Sequence, residues 1–171
     1  LEYLLSSFGL ELIGLDVRED INEGSGRFFI TKKYSSNKFN LDKNLITTLE
    51  KFRCKEQNIK INNPSIYKKL KENIELNKDK TIKFMKEEKQ KGKVIHGYAA
   101  STKGNTTLQY YKLNSEIVDF ISDRNPIKWG NYTVGSNIKI ISEKTSREIN
   151  PDYYFILAWH FLEEFIKREL I

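Results

Sequence analysis

Four short apolar runs recur after Lys93: "VIHGYAA", "IVDFIS", "IKII" and "YYFILA", with longer polar or amphipathic stretches between them. Each run is strand length, and the stretches between them read as helices or loops. The spacing predicts strands at Val94–Ala99, Ile117–Ser122, Ile138–Ile141 and Tyr153–Ala158. It predicts helices at Thr106–Leu113 and Ser142–Ile149, and a last one from Phe161. Strands buried on both faces and separated by crossovers form a parallel sheet with helices packed on it. Ligands of such sheets bind beyond the carboxyl ends of the strands, where the strand order reverses. Three loops fall at those ends: Ala100–Asn105, Asp123–Gly130 and Trp159–Phe161.

The first half of the chain has another rhythm. "LEYLLSSFG" reads as the last turns of a helix closed by Gly9. With no N-cap or leader before it, this opening is expected to belong to a longer protein. "LELIGLDVR" alternates apolar residues and is interrupted by a glycine, and "RFFITKK" follows after the loop "NEGSGR". The two are predicted to pair as an antiparallel hairpin. After a polar linker at 34–40, Leu45, Ile46, Leu49 and Phe52 mark one face of a helix from Asp42 to Glu56. Asn63 and Pro64 are a cap and a favourable first residue for a second helix running to about Lys89. That helix either bridges two domains or packs on a sheet.

Composition removes several function classes. The chain of 171 residues has 39% apolar residues, enough for a core without cross-links. Its single cysteine, Cys54, excludes an internal disulfide and a multi-cysteine zinc site. No apolar run reaches the ~20 residues that span a bilayer, and no signal-peptide pattern opens the chain. A soluble, cytoplasmic protein without a membrane partner is expected. The net charge of +6 raises the question of nucleic acid, but the lysines are interleaved with glutamates, as in "KKLKENIELNKDK". Such runs cover solvated helix faces, so no nucleic-acid partner is expected.

The three loops offer polar chemistry. In the first, Gly97, Gly104 and the small residues between them let backbone approach a ligand. Lys103 supplies a point charge for a phosphate, and Asn105 a hydrogen bond, just where a helix opens. The spacing is neither GxGxxG nor GxxxxGK[ST], and plain turn chemistry explains it equally. In the second, Asp123 ends a strand, the place from which a carboxylate takes ribose hydroxyls, and Arg124 and Lys128 add charge. Asp, Asn, Pro and Gly are also the ordinary residues of a turn. In the third, Trp159 and His160 follow the last strand. A histidine there works as an acid or base, or else caps and packs. His96, inside a strand, reads as structural. No complete catalytic site is present in these residues.

Longer stretches carry a resemblance. "GYAASTKGNTTLQYY" is similar to the "GYGASTKGNTLL"-type signature in the C-terminal domain of S-adenosylmethionine-dependent sugar C-methyltransferases, which act on nucleotide-linked deoxysugars. "ISDRNPIKWGNYTVGSNIKIIS" resembles that family's D-x-N-P-x-K-x-G, T-x-G and apolar strand, and "NPDYYFILAWHFLEEFIKRE" its P-D-Y, strand, P-W-N and acidic helix. "INEGSGRFFITKK" resembles its H-G-G-S-x-R strand. Asn22 and Glu23 replace His and Gly of that last motif, and Ala158-Trp159-His160 replaces P-W-N.

The resemblance implies an α/β fold in three parts. Residues 1–33 would be the hairpin end of a class I methyltransferase domain, 34–91 a long helical connection, and 92–171 a Rossmann-like parallel-sheet C-terminal domain. It implies that the whole protein transfers a methyl group to the carbon of a nucleotide-diphosphate sugar, with this part helping to bind that sugar nucleotide. S-adenosylmethionine, zinc and the catalytic base would be held upstream, leaving this piece alone inactive. Lys103, Asn105, Asp123, Arg124, Lys128, Trp159 and His160 would bind the substrate, with Ser25 and Arg27 facing the same cleft. A nucleotide-binding or interaction module without catalytic activity is the rival reading.

Overall fold

The computed structural model describes residues 1–18, 24–35 and 39–169. Asn22 and Glu23, the departures from the H-G-G-S-x-R motif, lie outside them. The chain divides into two units, Leu1–Lys69 and Leu70–Ile171.

In the first unit a short helix α1 (Glu2–Ser7) leads through Gly9, at φ +67°, into the hairpin β1 (Leu10–Arg18) and β2 (Ser25–Lys32). The strands pair antiparallel, with a shift of register between Leu12 and Gly14 that accommodates one extra residue on β1. Helix α2 (Lys43–Asn58) starts where Asp42 accepts the Asn44 N–H at 2.8 Å. Leu5, Leu12, Leu15 and Leu49 form the small core of this unit. Helix α3 (Pro64–Gln90) begins as its cap predicts, with the Ser65 N–H on the Asn63 side chain at 3.0 Å.

The second unit is an α/β domain of the predicted class. Strands β3 (Ile95–Tyr98), β4 (Phe120–Asp123), β5 (Ile140–Ser142) and β6 (Tyr153–Ile156) form one sheet in the order β5-β4-β3-β6. Every pairing in it is parallel. Helices α4 (Thr102–Tyr110), α5 (Glu143–Ile149) and α6 (Leu162–Glu169) complete it. Successive residues of β3 point to opposite faces. Ile95 shares a core with Leu108 of α4, Met85 of α3, Ile121 and Leu157. On the other face Tyr98 packs on Phe165 of α6, and the His96 Nδ1 lies 2.7 Å from Ser146 Oγ of α5. The sheet is therefore covered on both sides. The end of α3 is fastened beneath it: Glu88 accepts from Tyr153 Oη at 2.8 Å, and Lys89 pairs with Asp119 at 2.8 Å.

Two boundaries differ from the sequence expectation. Helix α4 starts at Thr102 rather than Thr106, because the Ser101 hydroxyl accepts the Gly104 N–H at 3.0 Å and so caps the helix four residues earlier. The strands are shorter than the apolar runs, since Ala99 leaves β3 with φ +72° and Leu157–Ala158 leave β6 as a bend. The glycines also have a different use. A Cβ on Gly97 would lie 2.4 Å from Ile121 Cδ1, and one on Gly104 would lie 2.6 Å from Leu157 Cβ. Gly97 makes room for Ile121 of the neighbouring strand, and Gly104 lets α4 meet Leu157 closely.

Candidate functional site

The strand order fixes where a ligand meets this domain. The chain runs outward from β3 to β4 to β5, then returns to β6 on the other side of β3. The crevice therefore lies at the carboxyl ends of β3 and β6. The loops after β3, β4 and β6 meet there around a cavity of about 280 Å³, with Ala99, Asp123, Arg124, Lys128, Ala158 and His160 in its wall. A neighbouring cavity of about 340 Å³ lies along α4, between Asn105 and Leu108 on one side and Tyr132 and Val134 on the other. Ser101 and Lys128 belong to the walls of both.

Asp123 organises the loops. It is buried, and its Oδ2 accepts the Ala100 N–H at 2.7 Å and Lys128 Nζ at 3.0 Å, while Oδ1 accepts the Asn125 N–H at 2.8 Å. Lys128 Nζ also donates to the Ala100 carbonyl at 2.8 Å. An ammonium has three hydrogens to donate, so one is left for a ligand. The Trp129 indole donates to the Asp123 carbonyl at 2.6 Å and completes the knot. A carboxylate holding three donors ties the loop after β4 to the loop after β3.

The other predicted residues divide. Arg124 sits at the rim of the smaller cavity, 3.6 Å from Glu164 of α6, with both side chains largely in solvent. His160 stands in the same wall; its Nδ1 is sealed from solvent without a partner, so only Nε2 remains accessible. Asn105 is similar in the larger cavity: its Oδ1 is sealed and unpartnered, leaving Nδ2. Lys103 is exposed in the first turn of α4, forms no ion pair with any described residue, and lies outside both walls. Trp159 is 64% exposed and also outside them. Ser25 and Arg27 belong to the first unit. There Ser25 borders a cavity of about 790 Å³ between the hairpin and α2, and Arg27 lies 3.9 Å from Asp16.

Sequence reasoning missed the floor of the smaller cavity. Glu143 opens α5, and Phe165 and Arg168 come from α6. Arg168 pairs with Glu143 at 3.1 Å and lies over the Tyr98 and Phe165 rings. Glu169 accepts from Tyr98 Oη at 2.6 Å and from Arg147 at 2.7 and 2.9 Å. Burial pushes the Glu169 carboxyl up, but the bonds from Arg147 and Tyr98 outweigh it and hold the group below its ordinary value. Burial pushes Tyr98 up, and its bond to Glu169 adds to the effect. Glutamates and arginines on two short helices carry no motif, which is why the sequence did not single them out.

The cavity pair thus presents donors. Most of its acceptors are engaged internally: Asp123 by three donors, Glu143 by Arg147 and Arg168, and Ser101 Oγ by Gly104, while Glu164 stands at the rim 3.6 Å from Arg124. The donors that remain for a ligand are Lys128, Arg124, Nδ2 of Asn105, Nε2 of His160 and the free N–H groups that open α4. A profile of the C-methyltransferase C-terminal domain matches residues 20–170. The chain belongs to that family. It is also 38% identical over 78 residues to the C-methyltransferase NovU of Streptomyces niveus, a match covering 46% of this chain and 19% of that protein. The aligned stretch is thus a fifth of the relative's length. Family membership makes this a methyltransferase-related chain, and the conspicuous "GYAASTKGNTT" stretch forms the end of β3, the cap of α4 and the first turns of that helix. Among the described residues no helix is long and apolar enough to cross a membrane.

Proposed function

We propose that this chain is the C-terminal part of an S-adenosylmethionine-dependent C-methyltransferase and that its α/β domain binds the nucleotide-linked sugar that the whole protein methylates. The observation that carries the reading is the donor-rich crevice at the ends of β3 and β6, with most of its acceptors already engaged. An acceptor-rich, anionic ligand such as a sugar diphosphate suits that balance. The helix dipole and the free N–H groups of α4 add to it.

In this reading the residues of the chain bind and orient. Lys128 and the α4 N-terminus take phosphate oxygens, with Lys103 attracting the anion from solvent. Asp123 holds the loops rather than the sugar, because its oxygens already accept from Ala100, Asn125 and Lys128. His160 and Arg124 meet the glycosyl group. Methyl transfer to carbon needs a base to remove a proton beside a carbonyl. The reading assigns that base, S-adenosylmethionine and zinc to residues outside this chain. Among the described residues no three His, Cys, Asp or Glu side chains are grouped to hold a metal.

Calorimetric titration of the chain with UDP-glucose as a probe tests the proposal. Saturable binding that weakens in Lys128→Ala is expected. Absence of heat with UDP-glucose, UDP and inorganic pyrophosphate alike would remove the sugar-nucleotide role.

A further inference from the structure

The two cavities differ in chemistry although they share Ser101 and Lys128. The smaller one is walled by charge, with Arg124, Glu143, His160, Glu164 and Arg168. The larger one has Leu108, Val134, Ile140 and Leu157 in its wall, and apart from Lys128 its polar groups are uncharged: Ser101, Thr102, Asn105, Tyr132 and Thr133. We propose that one ligand spans both, with a heterocyclic base in the 340 Å³ cavity, its phosphates at Lys128, and its glycosyl group in the 280 Å³ cavity. This rests on the nucleotide reading above and adds the direction in which the ligand lies.

The argument is one of solvation. A base has two flat apolar faces and hydrogen-bonding atoms only at its edge. It can lie against Leu108, Ile140 and Tyr132 while a ring carbonyl or ring nitrogen accepts from Nδ2 of Asn105. A glycosyl group placed there would leave hydroxyls unpaired against Leu108, Ile140 and Leu157, which disfavours it. In the charged cavity the same hydroxyls meet the Glu164 carboxylate, the Arg124 guanidinium and the His160 imidazole at its wall. The opposite orientation fails at both ends, since the faces of a base gain little beside Glu143 and Arg168. The junction favours phosphate: Lys128 has one hydrogen left after bonding Ala100 and Asp123, and it stands beside Ser101, the cap of α4.

Two variants separate the parts. Val134 is 74% exposed, so Val134→Trp fills the apolar cavity from its rim without disturbing the core. Asn105→Leu is nearly isosteric and removes the accessible Nδ2 together with the sealed Oδ1. Both are titrated with UDP and with inorganic pyrophosphate, and folding is followed by circular dichroism. UDP affinity should fall about tenfold or more in each variant while pyrophosphate affinity stays within about twofold. Unchanged UDP affinity, or parallel loss of both probes in folded variants, overturns the orientation and leaves the sugar-nucleotide reading standing. A parent chain that binds pyrophosphate and UDP equally overturns the base cavity in the same way. A chain that binds neither overturns both readings.

Discussion

Ala99 shows how far one residue constrains this site. It stands where the signature quoted above has its second glycine, directly after β3, and it holds φ +72°. For an L-residue the left-handed region costs roughly 1–2 kcal/mol. Glycine removes that strain but loses roughly 0.4–1 kcal/mol to the freer unfolded chain. Relief is the larger quantity, so Ala99→Gly should stabilise the fold by about 0.5–1 kcal/mol. A denaturant midpoint that moves down instead would show that the surrounding loops do not impose the strain. The methyl group of Ala99 also borders the charged cavity, so the same substitution enlarges it slightly. The residue type was readable from the sequence, but its backbone angle was not, because the angle is set by bonds from Asp123 to Ala100 across 23 positions.

At the scale of elements, α4 meets the bend after β6 closely because Gly104 has no side chain. Alanine at Gly104 gains about 1 kcal/mol of helix propensity. It also places a Cβ 2.6 Å from Leu157 Cβ, an atom fixed to its own backbone. Overpacking of this kind costs about 1–3 kcal/mol, so Gly104→Ala is expected to destabilise by up to about 2 kcal/mol net. Increased thermal stability of the variant would contradict the packing. The other face depends on charge. Glu169 joins α6 to Tyr98 of β3 and Arg147 of α5. Its folded carboxyl titrates below the ordinary value, so its contribution is present above the unfolded pKa of about 4.3 and is lost as pH falls through the depressed value. His96 acts in the same direction: burial lowers its pKa, so protonation below about 6.5 favours the unfolded chain. Stability should therefore fall from neutral pH into acid. Glu169→Gln should lower it by about 1–3 kcal/mol at neutral pH and flatten the most acid part of the profile. An acid limb of the same steepness in the variant would place the titrating carboxylate elsewhere.

For the molecule as a whole, each of the two units has its own small or larger core. The second carries the crevice. The first carries the hairpin, which the family resemblance places at the end of a methyltransferase domain, and α2, which it places in the helical connection. If the cofactor belongs to residues outside this chain, calorimetric titration with S-adenosylmethionine should give no saturable heat, while the sugar-nucleotide probes still bind. Micromolar affinity for S-adenosylmethionine would falsify that division. The mixed lysine and glutamate face of α3 fits a solvated helix: Lys83 and Glu87 pair at 3.9 Å with both side chains exposed, an arrangement worth little energy.

The sequence by itself determined the class of the second unit. Apolar runs of strand length separated by amphipathic ones have one economical burial, a parallel sheet covered by helices, and periodicity is a local property that needs no coordinates. It also determined the caps at Asp42, Asn63 and Ser142, because a side chain and an N–H two or three residues on meet without help from the rest of the fold. Ser101 obeys the same rule, although the helix was expected four residues later. Long-range placement was decided only by the tertiary structure. Lys128 and Asp123 were legible as charged loop residues, yet their union with Ala100 depends on the sheet bringing β3 and β4 side by side. Lys103 and Trp159 were equally conspicuous in sequence and stand outside both cavities. Glu143, Phe165 and Arg168 were inconspicuous and form the floor of one. The reason is physical: a cavity wall is made by residues distant in the chain whose side chains converge, and strand order, not local pattern, determines which of them meet.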